Sequence, residues 1–458
     1  MRLSQRHGYD LDNQGHLVIG GARAADLASG FGTPLYVLDE DRMRANCRAY
    51  LGAMREAYPG PGRVLFASKA LCTVATCQVA YEEGLGIDVV SVGEILTALT
   101  AGVPAGDLFF HGSNKTPEEI AYGLDAGVGR FVVDNEHELG WLNRLARERG
   151  LRADILLRVT PGIEPHTHKA IQTGGVDSKF GFGLLGPSAE GAVLQALDLP
   201  GVRLRGLHCH IGSQILDLDP FVMAARSLVS FAAEMRGSGF VLEELNLGGG
   251  LGIRYLADQE PPTPGSHVRA MAEMVRDLTA RYKMPLPAMI VEPGRAIVGD
   301  AGVTLYTVGA IKTVPGARKF VSVDGGMYEN PRPALYEAQY EALVATRAGE
   351  EPTQSVSIAG RCCESGDVLI WDAQLPDVAA GDLLAVFSTG AYNFSMASNY
   401  NRYPRPALVF VRDGEAQIAV ERETPADLVR LDRALRRRDG TPRPGATLLP
   451  DTPLPGEG

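Results

Sequence analysis

The 458-residue sequence has few cysteines, six in all, at positions 47, 72, 77, 209, 362 and 363, and no CxxC pair among them. That spacing argues against a structural zinc site. Cys362 and Cys363 are adjacent, and neighbours in sequence seldom reach the geometry of a relaxed disulfide. Two readings stay open for that pair: inert packing or a reactive thiol. No segment approaches the roughly 20 apolar residues of a membrane helix. The opening stretch MRLSQRHGYDLDNQG has no apolar run for a signal peptide. A cytoplasmic chain with reduced thiols is therefore expected. Positive charge is also short: 44 Lys and Arg stand against 55 Asp and Glu, a net charge of −11. A general nucleic-acid or anionic-membrane binder would need a basic face, so neither partner is expected. A local basic pocket for an anionic ligand is still allowed.

Hydrophobic residues make up 45% of the chain and charged residues 22%, which fits a globular protein with a sizeable core. At about 150 residues per domain the length allows two or three domains, or one large barrel and a smaller domain. After a helix-like stretch at 41–58, short apolar runs alternate with helical patterns. Strands are expected at RVLFAS (63–68), GIDVVS (86–91), DLFFHG (107–112), RFVVDN (130–135), ADILLRVT (153–160), VRLRGLHCHI (202–211), LEELNLG (242–248) and PAMIVEP (287–293). Ser91 with Glu94, and Thr116 with Pro117 and Glu119, read as capping boxes that start the intervening helices. Strand–helix alternation implies parallel pairing with right-handed crossovers. Eight such units predict an α/β protein built on a (β/α)8 TIM barrel over 36–298, with a doubly wound open sheet as the rival. From about 300 the pattern turns to period two, as in GVTLYTVGAI, KFVSVDGG, QSVSIAG, DVLIWD, DLLAVFSTG, ALVFVRDG and EAQIAVERE. These predict antiparallel strands of a second, all-β domain, sandwich- or barrel-like, formed by 299–435 with a strand from 1–35 in HLVIGG. Residues 436–458, rich in Arg, Pro and Gly, read as a flexible tail.

Polar residues fall where barrel chemistry is found, at the carboxyl ends of strands. Lys69 follows the first strand, Asp88 and Ser91 the second, His111 and Asn114 the third. Arg158 lies late in the fifth, His208 and His210 late in the sixth, Gly248–Gly250 after the seventh, and Glu292 and Arg295 after the eighth. Lys69 is expected to be either a salt-bridge partner or a Schiff-base nucleophile whose burial lowers its pKa. Three consecutive glycines bare their backbone N–H groups and let an anion approach. EPGR (292–295) offers a carboxylate for a ring nitrogen and a guanidinium for an acid group. His208 and His210, two apart, face one side; no third ligand of fitting spacing stands out for zinc, and a flat imidazole stacking on a flat cofactor fits better. Lysine, glycines, Ser213, Glu292 and a histidine face together describe a pyridoxal phosphate (PLP) site.

The motifs FASKA (66–70), DVVSVGE (88–94), FHGSNK (110–115), PHTHKAIQTGGVDSKFGF (165–182), GLHCHIGSQI (206–215), LNLGGGLGI (245–253), EPGR, DGGMYENPRPALYEA (324–338), CESGD (363–367) and GAYNFSMASNYN (390–401) cover nearly the whole chain. With them the sequence resembles the fold-type III PLP-dependent decarboxylases, and within them the branch that acts on meso-diaminopimelate. The resemblance implies Lys69 as the Schiff-base lysine, His210 stacked on the ring, Ser213 and Gly248, Gly249 and Gly250 on the phosphate, and Glu292 at the ring nitrogen, with Gly294 beside it in EPGR. It implies Arg295, Arg332 and Tyr336 as substrate-binding residues and Tyr392 in contact with cofactor and substrate. It further implies a homodimer with shared active sites, in which Cys363 donates a proton and Glu364 reads the substrate's distal amine. No metal is implied, and no role is seen for Cys362 beyond packing. A thiol suits proton donation because it holds a proton near neutral pH.

Two positions depart from the family pattern: Phe66, where tyrosine is usual, and Pro331 before Arg332, which can shift that loop. Rival readings are a decarboxylase for ornithine, arginine or carboxynorspermidine, a racemase, a barrel aldolase without PLP, and a non-catalytic PLP-binding homologue. The paired Cys363 and Glu364 argue against the racemase, and retention of Lys69 with Cys363 against the binding homologue.

Overall fold

The computed structural model describes residues 3–163 and 178–438. The expected tail from 436 lies outside these residues except for its first three positions, as does most of the 165–182 motif. All eight expected barrel strands form: Gly62–Ala67, Gly86–Val89, Leu108–Phe110, Arg130–Val133, Ala153–Thr160, Val202–His208, Glu244–Asn246 and Ala288–Val291. Each pairs in parallel with its sequence neighbour, and the eighth returns to the first through Met289–Val291 against Gly62–Val64. That last pairing closes the barrel and rules out the open doubly wound sheet. Alternate strand residues point inward, and Leu65, Phe109, Val132, Leu156 and Ile290 form a separate buried cluster inside.

Local signals start the helices as expected, with one difference. Thr116 and Glu119 make a full reciprocal capping box on Pro117–Ala126. Ser91 accepts the N–H of Glu94, but the Glu94 carboxylate takes the N–H of Val90 instead of that of Ser91. The helix start is kept and the return bond is displaced by one residue.

The second unit is a β-sheet built around the long strand Gly302–Val314. The strand expected at HLVIGG forms as Leu17–Ile19, but in a small sheet with Asp10–Leu11 and Ala22–Arg23. The N-terminal strand that enters the large sheet is Leu35–Asp39, which straddles the expected boundary between 35 and 36, and it lies between Gly302–Val314 and Ala407–Arg412. Its apolar run LYVL ends in Asp39, whose side chain caps the helix Glu40–Ala57 and so hands the chain to the barrel. The sheet is not wholly antiparallel: Ala407–Arg412 runs parallel to Leu35–Asp39, and Arg318–Val323 parallel to Gln354–Ala359. Period-two patterning reports faces, not direction, and so could not distinguish these pairs. Among the described residues no helix is long and apolar enough to cross a membrane.

Candidate active site

The first barrel strand ends in a single turn, Ser68–Ala70, which turns Lys69 into a cavity of about 630 Å3. His210, Ser213, Arg295, Arg332, Tyr336 and Tyr392 line the same cavity, so with Lys69 residues from five chain segments meet there. Lys69 Nζ donates to Asp88 Oδ2 at 3.0 Å, at the end of the neighbouring strand. Burial alone would push the ammonium down, yet Asp88, followed by Tyr392 and Glu292, outweighs it and raises the Lys69 pKa. The expected lowering is thus corrected: desolvation is present, but a buried carboxylate beside the amine reverses its sign.

Glu292 is buried and densely held. Its Oε1 accepts from His111 Nε2 at 2.9 Å and from Asn246 Nδ2 at 2.6 Å, and its Oε2 from His208 Nε2 at 3.2 Å. Burial opposes ionisation, but His111 and His208 hold the carboxyl well below the usual carboxylate range. Burial pushes His208 down to about 4, so its imidazole is neutral at neutral pH. The ligand-capable atoms of His111, His208 and Glu292 lie within 4.8 Å of one another. Linear spacing missed Glu292 as a third member because it lies 84 residues from His208. As arranged, both imidazoles bond the Glu292 carboxylate through Nε2, and His208 Nδ1 is buried without a partner among the described residues.

The sixth strand stops at His208, so His210 stands beyond it and lines the cavity. Its Nδ1 accepts the N–H of Gly249 at 3.3 Å. Burial, followed by the positive charges of Lys69 and Arg158, holds its pKa well below the usual histidine value. A neutral, flat imidazole therefore faces the cavity.

The glycine run is a tight cradle. A Cβ on Gly248 would lie 2.4 Å from the carbonyl oxygen of Cys209, one on Gly249 2.1 Å from that of Glu292, and one on Gly250 2.5 Å from that of Gly212. Not all its N–H groups are bare, as had been expected. That of Gly248 bonds Asn246 Oδ1 at 2.9 Å and that of Gly249 bonds His210. The strand-end Asn246 and His210 reach these donors, which glycine's missing side chain leaves accessible.

Arg295 and Arg332 are both buried, and among the described residues neither pairs with a carboxylate. They converge on Tyr255: Arg295 Nη1 donates to its hydroxyl, and Arg332 Nη1 does so at 2.9 Å. Arg295 Nη2 also donates to Ser213 Oγ at 2.8 Å, and Arg332 Nη1 to the Tyr340 hydroxyl. Burial opposes ionisation of Tyr255, but the two guanidiniums lower its pKa overall. The Nε atoms of both arginines are buried without a hydrogen-bond partner among the described residues. Pro331 forms the N-cap of Arg332–Tyr336 and leaves Arg332 in the cavity, while Phe66 is fully buried in the core. Tyr392 adopts φ +61°, its N–H bonds the carbonyl of Ala70 at 2.8 Å, and Arg295 lies 4.8 Å over its ring. Gly294 packs its Cα against Ala67 and Ala70, where a Cβ would come within 3.0 Å of Ala67.

Other candidates fall elsewhere. Arg158 stacks 4.2 Å over Phe180, a wall of the cavity, and faces Asp134 at 3.7 Å. Asn114 is exposed, whereas its neighbour Lys115 is buried on Glu138 at 2.7 Å. Ser91 serves as a helix cap. Cys363 and Glu364 are exposed and do not line the cavity of their own chain. Burial and the adjacent Asp367 push the Cys362 thiol up to about 12, which makes it a poor nucleophile at neutral pH. Tyr255 and Tyr340 are not singled out by the sequence; neither GIRYLADQE nor EAQYEALV carries a motif that marks its tyrosine, although Tyr255 follows the glycine run by five residues.

The donor set fits PLP. An ionised carboxylate suits a protonated ring nitrogen, a neutral imidazole suits an aromatic face, and orphaned guanidinium nitrogens suit anions. The family profile described as "Pyridoxal-dependent decarboxylase, pyridoxal binding domain" matches residues 44–299. The diaminopimelate decarboxylase of Bacillus subtilis (strain 168) is 52% identical over 431 residues, covering 93% of this chain and 97% of that protein. The crystal structure of diaminopimelate decarboxylase from M. jannaschii superposes with a TM-score of 0.87 at 38% identity, covering 93% of this chain and 98% of that one. The M. jannaschii enzyme in co-complex with L-lysine superposes with a TM-score of 0.86, also at 38% identity and with the same coverage.

Proposed function

The chain belongs to the diaminopimelate decarboxylases, within the pyridoxal-dependent decarboxylase family, and from that membership we propose that it removes one carboxylate of meso-diaminopimelate as CO2 to leave L-lysine. The observation that carries the substrate reading is the pair Arg295 and Arg332, buried on one cavity with Lys69 and without a carboxylate of the chain's own among the described residues. Buried guanidiniums need anionic partners to offset their desolvation. A cofactor phosphate and a substrate acid group supply them.

When bound, PLP supplies an aldehyde that takes up the substrate amine and a ring that accepts the electron pair left as CO2 departs. Lys69 would hold it covalently, and Asp88 favours a proton on Nζ. Ser213 and Gly248–Gly250 would hold its phosphate, the neutral face of His210 would take its ring, and ionised Glu292 would meet its nitrogen, with Gly294 leaving room beside it. The fixed charge of Glu292, desolvated and prearranged by His111 and His208, favours positive charge on that nitrogen when it matters most. Arg295, Arg332 and Tyr336 would orient the substrate, and Tyr392 would contact both substrate and cofactor.

The donor of the final proton is Cys363, and the residue that reads the distal amine is Glu364. Both stand on an exposed loop outside the cavity of their own chain. That separation supports a homodimer in which each chain lends this loop to the other's cavity. The test is CO2 release measured against meso-diaminopimelate, L-ornithine, L-arginine and carboxynorspermidine. Release from the first alone is expected; preference for a substrate with one carboxylate, or none turned over with PLP bound, would overturn the assignment.

A further inference from the structure

Asp367 closes the CESGD stretch and is 3% exposed, although the four residues before it are all exposed. Its carboxylate joins two loops. Oδ1 accepts the N–H of Met327 at 2.7 Å and Oδ2 that of Cys362 at 2.7 Å. Met327 belongs to the segment that runs on to Arg332, in the chain's own cavity. Cys362 precedes the thiol assigned as proton donor. The fit around the carboxylate is close: a Cβ on Gly326 would lie 2.6 Å from it and one on Gly360 2.3 Å. A second bond runs between the same loops, from the N–H of Arg361 to the carbonyl of Gly325 at 3.0 Å. The N–H of Cys363 is fixed in turn by Asn401 Oδ1 at 2.7 Å.

We propose that Asp367 is a positioning residue: its carboxylate sets the Cys363–Glu364 loop for the neighbouring cavity, with Met327 of its own chain as the fixed anchor. The proposal rests on the shared-site reading above. Two charge-assisted N–H bonds to one buried carboxylate tie both sides of this loop together. A donor displaced by about an ångström loses much of its rate while substrate binding is retained.

The test replaces Asp367 by Asn, which keeps the shape but turns one acceptor into a donor facing an N–H. With rates expressed per bound cofactor, kcat is expected to fall at least about tenfold, KM to stay within about threefold, and the visible absorbance and melting temperature to hold. Gly360→Ala, which crowds the same carboxylate without changing its charge, is expected to give the same split, and decides the matter should Asp367→Asn fail to bind cofactor. Mixed dimers locate the effect. Asp367→Asn paired with Lys69→Ala leaves one cavity with an intact lysine and an intact incoming loop, so activity is expected to recover to roughly a quarter of wild type on random pairing. Cys363→Ala paired with Lys69→Ala serves as control. Recovery in the control but not with Asp367→Asn would overturn the proposal alone. No recovery in the control would overturn the shared-site reading, and the proposal with it. Loss of cofactor absorbance with kcat per bound cofactor unchanged would reduce Asp367 to a structural role.

Discussion

Lys69 Nζ stands 3.0 Å from the carboxylate of Asp88, and the two residues close neighbouring barrel strands. Lys69 is therefore held as an ammonium by the next strand's last acidic group. The raised Lys69 pKa contributes stability that is fully present below the ordinary value of 10.5 and is lost as pH rises through the higher folded value.

Asp88→Asn removes that anion and keeps its shape. The Lys69 amine of cofactor-stripped protein should then titrate lower by at least about one unit. Amine labelling of Lys69 followed across pH measures this directly. An unshifted profile would show that Asp88 does not govern the lysine.

Tyr255→Phe removes the oxygen that both arginines share. Hydrogen bonds to charged groups contribute about 1.5–3 kcal/mol, so kcat/KM should fall roughly tenfold to a hundredfold, mostly through KM. Steady-state kinetics on meso-diaminopimelate check this. A loss confined to kcat would place Tyr255 in the chemical step instead of in carboxylate binding.

Gly249→Ala places a Cβ 2.1 Å from the carbonyl oxygen of Glu292. Backbone is met here, not a flexible side chain, so the cradle must shift. PLP affinity should weaken by about tenfold or more, on the scale of about 1.4 kcal/mol per decade, read by absorbance on titrating the stripped protein. Unchanged affinity would separate the glycine run from phosphate binding.

His267 is fully buried between Phe221, 4.3 Å away, and Tyr50, and neither ring nitrogen has a partner among the described residues. Burial pushes it down to about 3. A depressed histidine leaves stability untouched above its unfolded value near 6.5 and subtracts from it as pH falls below that. At pH 5 the penalty is about 2 kcal/mol. His267→Leu should therefore raise the melting temperature at pH 5 more than at pH 8. Equal shifts at both pH values would refute the titration.

The eight barrel strands were legible because each is a short apolar run fenced by cap and turn residues, and Thr116 with Glu119 shows how complete such a fence can be. The arrangement around Lys69 was half legible. Asp88 was visible at the next strand's end, but the sign of its effect depends on a 3.0 Å contact that spacing does not encode. Leu35–Asp39 escaped because LYVL carries no mark of which sheet it joins. Tyr255 escaped because its role exists only where two arginines, 37 positions apart in sequence (295 and 332), arrive at one hydroxyl. Asp367 was in plain view in CESGD, yet its partner Met327 lies 40 residues away.

The seating of Leu35–Asp39 between Gly302–Val314 and Ala407–Arg412 has a consequence for how the chain is made. Both of its flanking strands are translated only after the entire barrel has been translated. During synthesis it waits with its ladder groups and its apolar LYVL run uncovered, tethered by Asp39 to a helix already docking. A nascent chain arrested near residue 300 thus displays an adhesive edge on both sides, which Gly302–Val314 and then Ala407–Arg412 cover in turn.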